Sequence, residues 1–405
     1  MMKRPKHPIS SDKTKALFSL SSLLMAICLL SGCSKPDKIA DYTALEAFDT
    51  MELPYSSPHR WRTFYHPFFK TQVVTFIDDI KWELCCLDPD TKRHFSFPLK
   101  KLREQTSSSS KRPLCYYIVD SLYAVINFFN SQDLFYKINR NGDIVYKYSL
   151  SDSRDNKDPK IRLYSKMIPL PIQSQKGVTS LLCSFTPRFE NSGNFISDKG
   201  VREKKFSGGL YVLLELSDTT LTVKSIIGQF PKDQLVPFSY YYIDPDYCIS
   251  SGNRIFGIFP SINLIGETHL TGKTTFIPLQ SEALKRVDEY DPDKVMDYNY
   301  LCKYSCEMNT LLHILPDYSS SNFYIISTKS DKYENPDGTV NDAANSPWIL
   351  FVMNDKTEVV REIHFPKEIF SKHYCFPSPD GLYILSNQLT RRNKDKHMVF
   401  VGFKI

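Results

Sequence analysis

Residues 115–150 read CYYIVDSLYAVINFFNSQDLFYKINRNGDIVYKYSL. Four runs rich in Val, Ile, Tyr and Phe (Cys115–Val119, Tyr123–Phe129, Leu134–Ile138 and Asp143–Tyr148) are separated by Asp120-Ser121, Asn130-Ser131-Gln132 and Asn139-Arg140-Asn141-Gly142. Such runs bounded by Asn, Asp, Ser and Gly mark strands, and Asn-Gly supplies the positive φ angles of a tight hairpin. Connections this short make consecutive strands antiparallel. One four-stranded sheet of this size cannot bury both of its faces, so it needs similar sheets stacked beside it, which is the plan of a β-propeller.

Further sets follow in both directions. Arg62–His66, Gln72–Ile77, Trp82–Leu87 and His94–Phe97 form one, and Arg162–Phe230 holds another around a long loop from Pro187 to Phe206. Tyr240–Pro278, Tyr300–Phe365 and His373–Ile405 supply three more. Turns of the x-Pro-Asp kind at Pro245, Pro292, Pro336 and Pro379 recur at blade-like intervals, although Pro316-Asp317 interrupts the series. Helical spacing is confined to Leu99–Gln105 and Ser281–Tyr290, which read as connectors. The fold class is therefore all-β, a six-bladed β-propeller of four-stranded antiparallel blades. Seven blades is the alternative, with Pro187–Phe206 or Gln280–Tyr300 as the extra sheet. The last set has only three strands, Tyr374–Phe376, Leu382–Ser386 and Met398–Phe403, while Ala44–Leu53 is an unpaired strand-like segment at the other terminus. Donating that N-terminal strand to the last blade closes the ring and removes an open edge.

The N-terminus carries a different signal. Lys3, Arg4, Lys6, Lys13 and Lys15 precede an apolar run from Ala16 to Leu30 that ends in Leu30-Ser31-Gly32-Cys33. A basic n-region and a short apolar h-region describe a secretory signal, and the run falls short of the roughly 20 residues that a membrane span needs. Residues 1–32 are read as the signal peptide, 33–41 as a tether and 42–405 as the propeller domain. Removing the signal takes five of the 51 basic and one of the 45 acidic residues, leaving 46 against 44. That near-neutral balance argues against a nucleic-acid partner.

Several of these features resemble known families. Leu30-Ser31-Gly32-Cys33 resembles the bacterial lipobox, which implies acylation of Cys33 and attachment to a membrane through the N-terminal lipid. Ser34 stands where Asp would imply inner-membrane retention, so the resemblance implies the outer membrane, on its periplasmic face or at the cell surface. Ser378-Pro379-Asp380-Gly381-Leu382-Tyr383-Ile384 is similar to the blade motif of TolB-like propellers, and Ile138-Asn139-Arg140-Asn141-Gly142-Asp143-Ile144 to the strand-turn-strand of NHL-like ones. Together they resemble the Bacteroidetes propeller lipoproteins of unknown function, of the domain-of-unknown-function 4221 type. Thr50, Ser121 and Thr219 lie in segments that resemble the Asp-Ser/Thr-apolar O-glycosylation sites of exported Bacteroidetes proteins, with Thr220 departing from the apolar third place.

Eight cysteines remain beyond Cys28 and Cys33, mostly inside strand runs where a thiol packs as a small apolar group. Cys302 and Cys306 are the best disulfide candidate and lack the spacing of a zinc knuckle. No Gly-x-Ser-x-Gly elbow and no His-Glu-x-x-His pair is present, the histidines are dispersed, and no cofactor is implied. Acidic groups such as Asp244-Pro245-Asp246 read as solvated turns. The Asp331–Asp342 loop fails as a calcium loop, because its first and last ligand positions fall on Tyr333 and Ala344. Trp61, Tyr65 and Tyr241 are candidate aromatics for a ligand platform, with inter-blade packing as their other reading. The leading functional expectation is a non-enzymatic module binding a protein or glycan partner. A propeller polysaccharide lyase or glycoside hydrolase, with acids gathered at the central channel, is the alternative, and a purely structural envelope component comes third. The side chains lining the channel separate the first two.

Overall fold

The computed structural model describes residues 39–56, 58–106, 113–128, 134–152, 161–163, 168–175, 177–187, 209–231, 245–250, 253–260, 262–284, 294 and 297–405. The signal peptide, Cys33 and Tyr241 lie outside them. The chain enters through β1 (Ile39–Asp41) and β2 (Ala47–Leu53), then forms a four-stranded sheet from β3 (Pro58–His66), β4 (Thr71–Asp78), β5 (Glu83–Leu87) and β6 (His94–Pro98). The short helix α1 (Lys100–Gln105) leads to β7 (Pro113–Ile118), β8 (Tyr123–Phe128), β9 (Leu134–Asn139) and β10 (Ile144–Asp152). Next come β11 (Ile161–Leu163), β12 (Leu170–Gln175), β13 (Val178–Pro187), β14 (Tyr211–Leu216) and β15 (Leu221–Ile227). Strands β7 to β15 share one nine-stranded sheet, because β10 and β15 pair in parallel from Leu150↔Leu221 to Asp152↔Val223.

A separate sheet follows from β16 (Asp246–Ile249), β17 (Ile255–Phe259), β18 (Ile262–Thr268) and β19 (Thr274–Pro278). Helix α2 (Tyr298–Glu307) precedes β20 (Leu311–Pro316), β21 (Phe323–Thr328), β22 (Trp348–Met353) and β23 (Val359–Phe365). The chain ends with β24 (Phe370–Ser378), β25 (Gly381–Ser386), helix α3 (Asn387–Arg392) and β26 (Met398–Phe403). The whole is an all-β, propeller-like arrangement of four-stranded antiparallel sheets. Strands β3, β12, β16, β20 and β24, each the first of its set, touch one another around the centre.

The terminal strands share a sheet as the unpaired segment demands. Strand β2 pairs antiparallel with β26 from Ala47↔Phe403 to Leu53↔Met398, giving the order β2-β26-β25-β24. The segment read as tether contains a strand. Ile39–Asp41, read as part of it, is a strand that pairs in parallel with β23 and covers the outer edge of that sheet. Aromatic side chains fill the space beside the sheets: Trp61 stacks on Phe76 of its own sheet and on Phe400 of the next, and the buried Trp348 lies parallel to its cross-strand partner Phe365 with centroids 3.9 Å apart.

Two helices depart from the sequence reading. The set read as Tyr300–Phe365 opens instead in the helix Tyr298–Glu307, which Asp297 caps, its carboxylate accepting from Asn299 N and Tyr300 N. Ser386 caps α3 in the same way, its hydroxyl accepting from Leu389 N, between two segments read as strands.

The Asn139–Gly142 turn shows why Gly is required there. Gly142 has φ +78°, and a Cβ at that position would lie 2.3 Å from the Pro98 carbonyl oxygen of the neighbouring sheet. Gly272 has φ +97° with open space around it. Gly142→Ala should therefore cost roughly 2 kcal/mol or more from strain plus overlap, and Gly272→Ala only the strain. Urea unfolding of both variants measures the difference, and equal losses would show that the Pro98 contact has no weight.

Candidate functional site

Four residues distant in sequence meet where the first strands converge. Arg62 on β3 donates from Nη1 to Asp246 Oδ1 on β16 and from Nη2 to the Tyr247 carbonyl, with its guanidinium over the Tyr247 ring. Asp246 Oδ2 accepts from Ile314 N at 3.0 Å and lies 3.5 Å from His313 Nδ1. The other ring nitrogen of His313, Nε2, is 3.3 Å from His373 Nδ1 on β24, the two rings being nearly perpendicular. Burial opposes ionisation of Asp246, but Arg62 and His313 outweigh it and hold the carboxyl at about 2. His373 is exposed, yet the protein around it strips enough water from the ring that this desolvation, with the His313 and Lys372 charges, pushes it down to about 3. The space among Trp61, Asp246, His313, His373 and Cys375 is about 10 Å³, room for roughly one water.

A much larger space lies away from this centre. Residues Tyr298, Leu301, Cys302, Ser305 and Cys306 repeat at helical spacing on one face of α2, and that face borders a groove of about 500 Å³. The opposite wall is the β21–β22 connection, with Tyr333, Val340 and Ala343. Tyr298 is 76% and Val340 59% exposed, so the groove presents apolar surface to solvent. Cys306 Sγ donates to the Asn341 carbonyl at 3.2 Å, and burial pushes this thiol up to about 11. Behind the wall, buried Lys372 donates to the Ala343 carbonyl at 2.5 Å and to Ser346 Oγ at 2.9 Å, fixing the turn. Burial lowers its pKa to about 8.

The candidates named from sequence are distributed differently. Trp61 is half-buried in the stack between sheets and donates from Nε1 to the Cys375 carbonyl at 3.1 Å, so it is packing rather than a platform. Tyr65 is 37% exposed with its ring 5.4 Å from Tyr318. Cys302 and Cys306 are free thiols one helical turn apart, not a disulfide. Thr50, Ser121 and Thr219 are all exposed. Asp246, read as a solvated turn, is a buried partner of Arg62, and the signal missed is that Asp-Pro-Asp here opens an inner strand. Among the described residues no three His, Cys, Asp or Glu side chains converge as a metal site, and no helix is long and apolar enough to cross a membrane.

No family model matches the chain, and no curated protein matches it. Solved structures do. A member of the DUF4221 family from Bacteroides vulgatus is similar over 89% of this chain and 97% of its own, at 15% identity and a TM-score of 0.59. A candidate exported protein from Bacteroides fragilis is similar over 91% and 99%, at 10% identity and a TM-score of 0.50. The likeness is one of fold.

Proposed function

We propose that this protein is a lipid-anchored, outer-membrane propeller of the DUF4221 type that works as a non-enzymatic binding module for a protein or glycan partner. Counting β7–β10 and β12–β15 as separate sets, with β2 completing the last, makes six blades. Cys33 is the acylated residue, and the few residues between it and β1 are the tether. The partner's apolar or aromatic group, a hydrophobic side chain or the C–H face of a sugar, sits in the groove beside α2.

The contrast in size carries this reading. About 10 Å³ at the axis admits a water, whereas about 500 Å³ at α2 is the size of a ligand pocket with the apolar lining such pockets have. The enzyme alternative has less support: glycosidases need two carboxyl groups facing each other across the scissile bond, and Asp246 instead faces Arg62 and His313.

The test is retention of envelope proteins and glycans on immobilised protein, compared between the parent and variants that block the groove. Val340→Asp and Cys302→Trp should each lower retention at least tenfold while leaving the circular dichroism spectrum intact. Unchanged retention in both, with loss on Tyr65→Ala or Phe68→Ala instead, would overturn the groove as the site.

A further inference from the structure

We infer that His313 and His373 form a two-imidazole site for a divalent late first-row transition metal ion, held at the axis where an organic ligand does not fit. The inference is independent of the groove beside α2. Its first support is spacing. Two nitrogen ligands about 2.0–2.1 Å from one ion at a tetrahedral angle stand about 3.4 Å apart. His313 Nε2 and His373 Nδ1 are separated by 3.3 Å.

The second support is the group behind His313. Metal-bound histidines characteristically donate their other ring N–H to a carboxylate, which fixes the tautomer and aims the lone pair. Asp246 occupies that place, with Oδ2 3.5 Å from His313 Nδ1. Arg62 and Ile314 N hold the carboxylate ionised and in position. With Nδ1 protonated toward Asp246, His313 Nε2 carries a lone pair directed at His373. In the ion-free protein His373 Nδ1–H donates to it. His373 Nε2 has no protein partner among the described residues, so moving the ring proton from Nδ1 to Nε2 frees a second lone pair with no net proton released.

Size and charge agree. The adjoining space of about 10 Å³ suits an ion or one water. The Arg62 charge is matched by Asp246, and the Lys372 ammonium, near enough to act on His373, is held by the Ala343 carbonyl and Ser346. Among the described residues no third side-chain ligand joins the pair, so water or an incoming donor fills the remaining positions. The tetrahedral spacing suits Zn²⁺ best, while the general affinity order makes Cu²⁺ the tighter-binding probe, its square-planar angle drawing the two nitrogens a few tenths of an ångström closer.

The experiment titrates the full-length chain in detergent with Cu²⁺ and, separately, Zn²⁺, by calorimetry and by electron paramagnetic resonance for Cu²⁺. One equivalent should bind, with hyperfine coupling from two nitrogens. His373→Gln and His313→Gln should each weaken it at least tenfold, and His397→Ala, on the remote β26 side, should leave it unchanged. Cu²⁺ binding that is absent, or that survives both Gln variants in protein with the parent's melting temperature, would show that the imidazoles share only a hydrogen bond.

Discussion

A chain that begins at Pro58 is expected to aggregate or to melt about 10 °C or more below the same chain begun at Ile39. Removing the first segment takes β2 from the edge of β26 and with it Met51, Leu53 and Tyr55, all buried against Phe76, Phe400 and Met398. Full burial of side chains this size contributes about 1.5–3 kcal/mol each. Three of them amount to a large part of the roughly 5–15 kcal/mol that holds a domain together. The exposed β26 would also become an unpaired apolar edge. The geometry supplies a rescue: Ala47 is opposite Phe403 and Lys404 N donates to the Glu46 carbonyl at 3.0 Å, so the start of β2 is next to the end of β26. Moving residues 46–56 to follow Ile405 through a short turn should restore the ring as a hairpin. Differential scanning calorimetry and size-exclusion chromatography of the three chains decide the matter. A truncated chain as stable as the parent would mean that closure by β2 contributes little.

That closure was legible because strands and hairpins are local events. Tyr123, Val125 and Asn139-Arg140-Asn141-Gly142 state their conformation within a few residues, and an orphan strand at one terminus matches a missing one at the other. The candidate site was not legible. Arg62, Asp246, His313 and His373 sit on four different sheets, and only closing the ring brings them together. Asp246 illustrates the difficulty: Asp-Pro-Asp has the composition of an exposed turn, and nothing within its own segment signals a guanidinium supplied from β3. The groove was hidden for another reason. Tyr298, Leu301, Cys302 and Cys306 keep helical spacing, but Tyr and Cys suit strands as well, so the Asp297 cap decides the outcome and is a weak sign on its own.

Arg62→Leu should destabilise the protein by about 3–5 kcal/mol, because it strands an ionised carboxylate away from water. Arg62 and Asp246 both keep side-chain exposures near a tenth, at 11% and 12%, too little for solvent to replace the lost partner. The double variant Arg62→Leu with Asp246→Leu removes the stranded charge together with its partner and should recover much of the loss. Acid gives an independent reading of the same pair. Asp246 titrates at about 2 in the folded chain against an ordinary 3.8, despite the opposing effect of burial. A carboxyl with a depressed folded pKa contributes its full stability above the unfolded value and loses it as pH falls through the folded one. With Arg62 gone, burial raises the Asp246 pKa, so the advantage of the parent over Arg62→Leu should be complete only above that raised value and shrink from there down to about pH 2. Urea unfolding of parent, single and double variants at pH 7, 4 and 2.5 measures all of this. If the single variant loses no more than a surface ion pair would, about 1 kcal/mol or less, or if its deficit stays constant down to pH 2.5, then Asp246 does not depend on Arg62. The axial cluster would then lack the fixed carboxylate that orients His313.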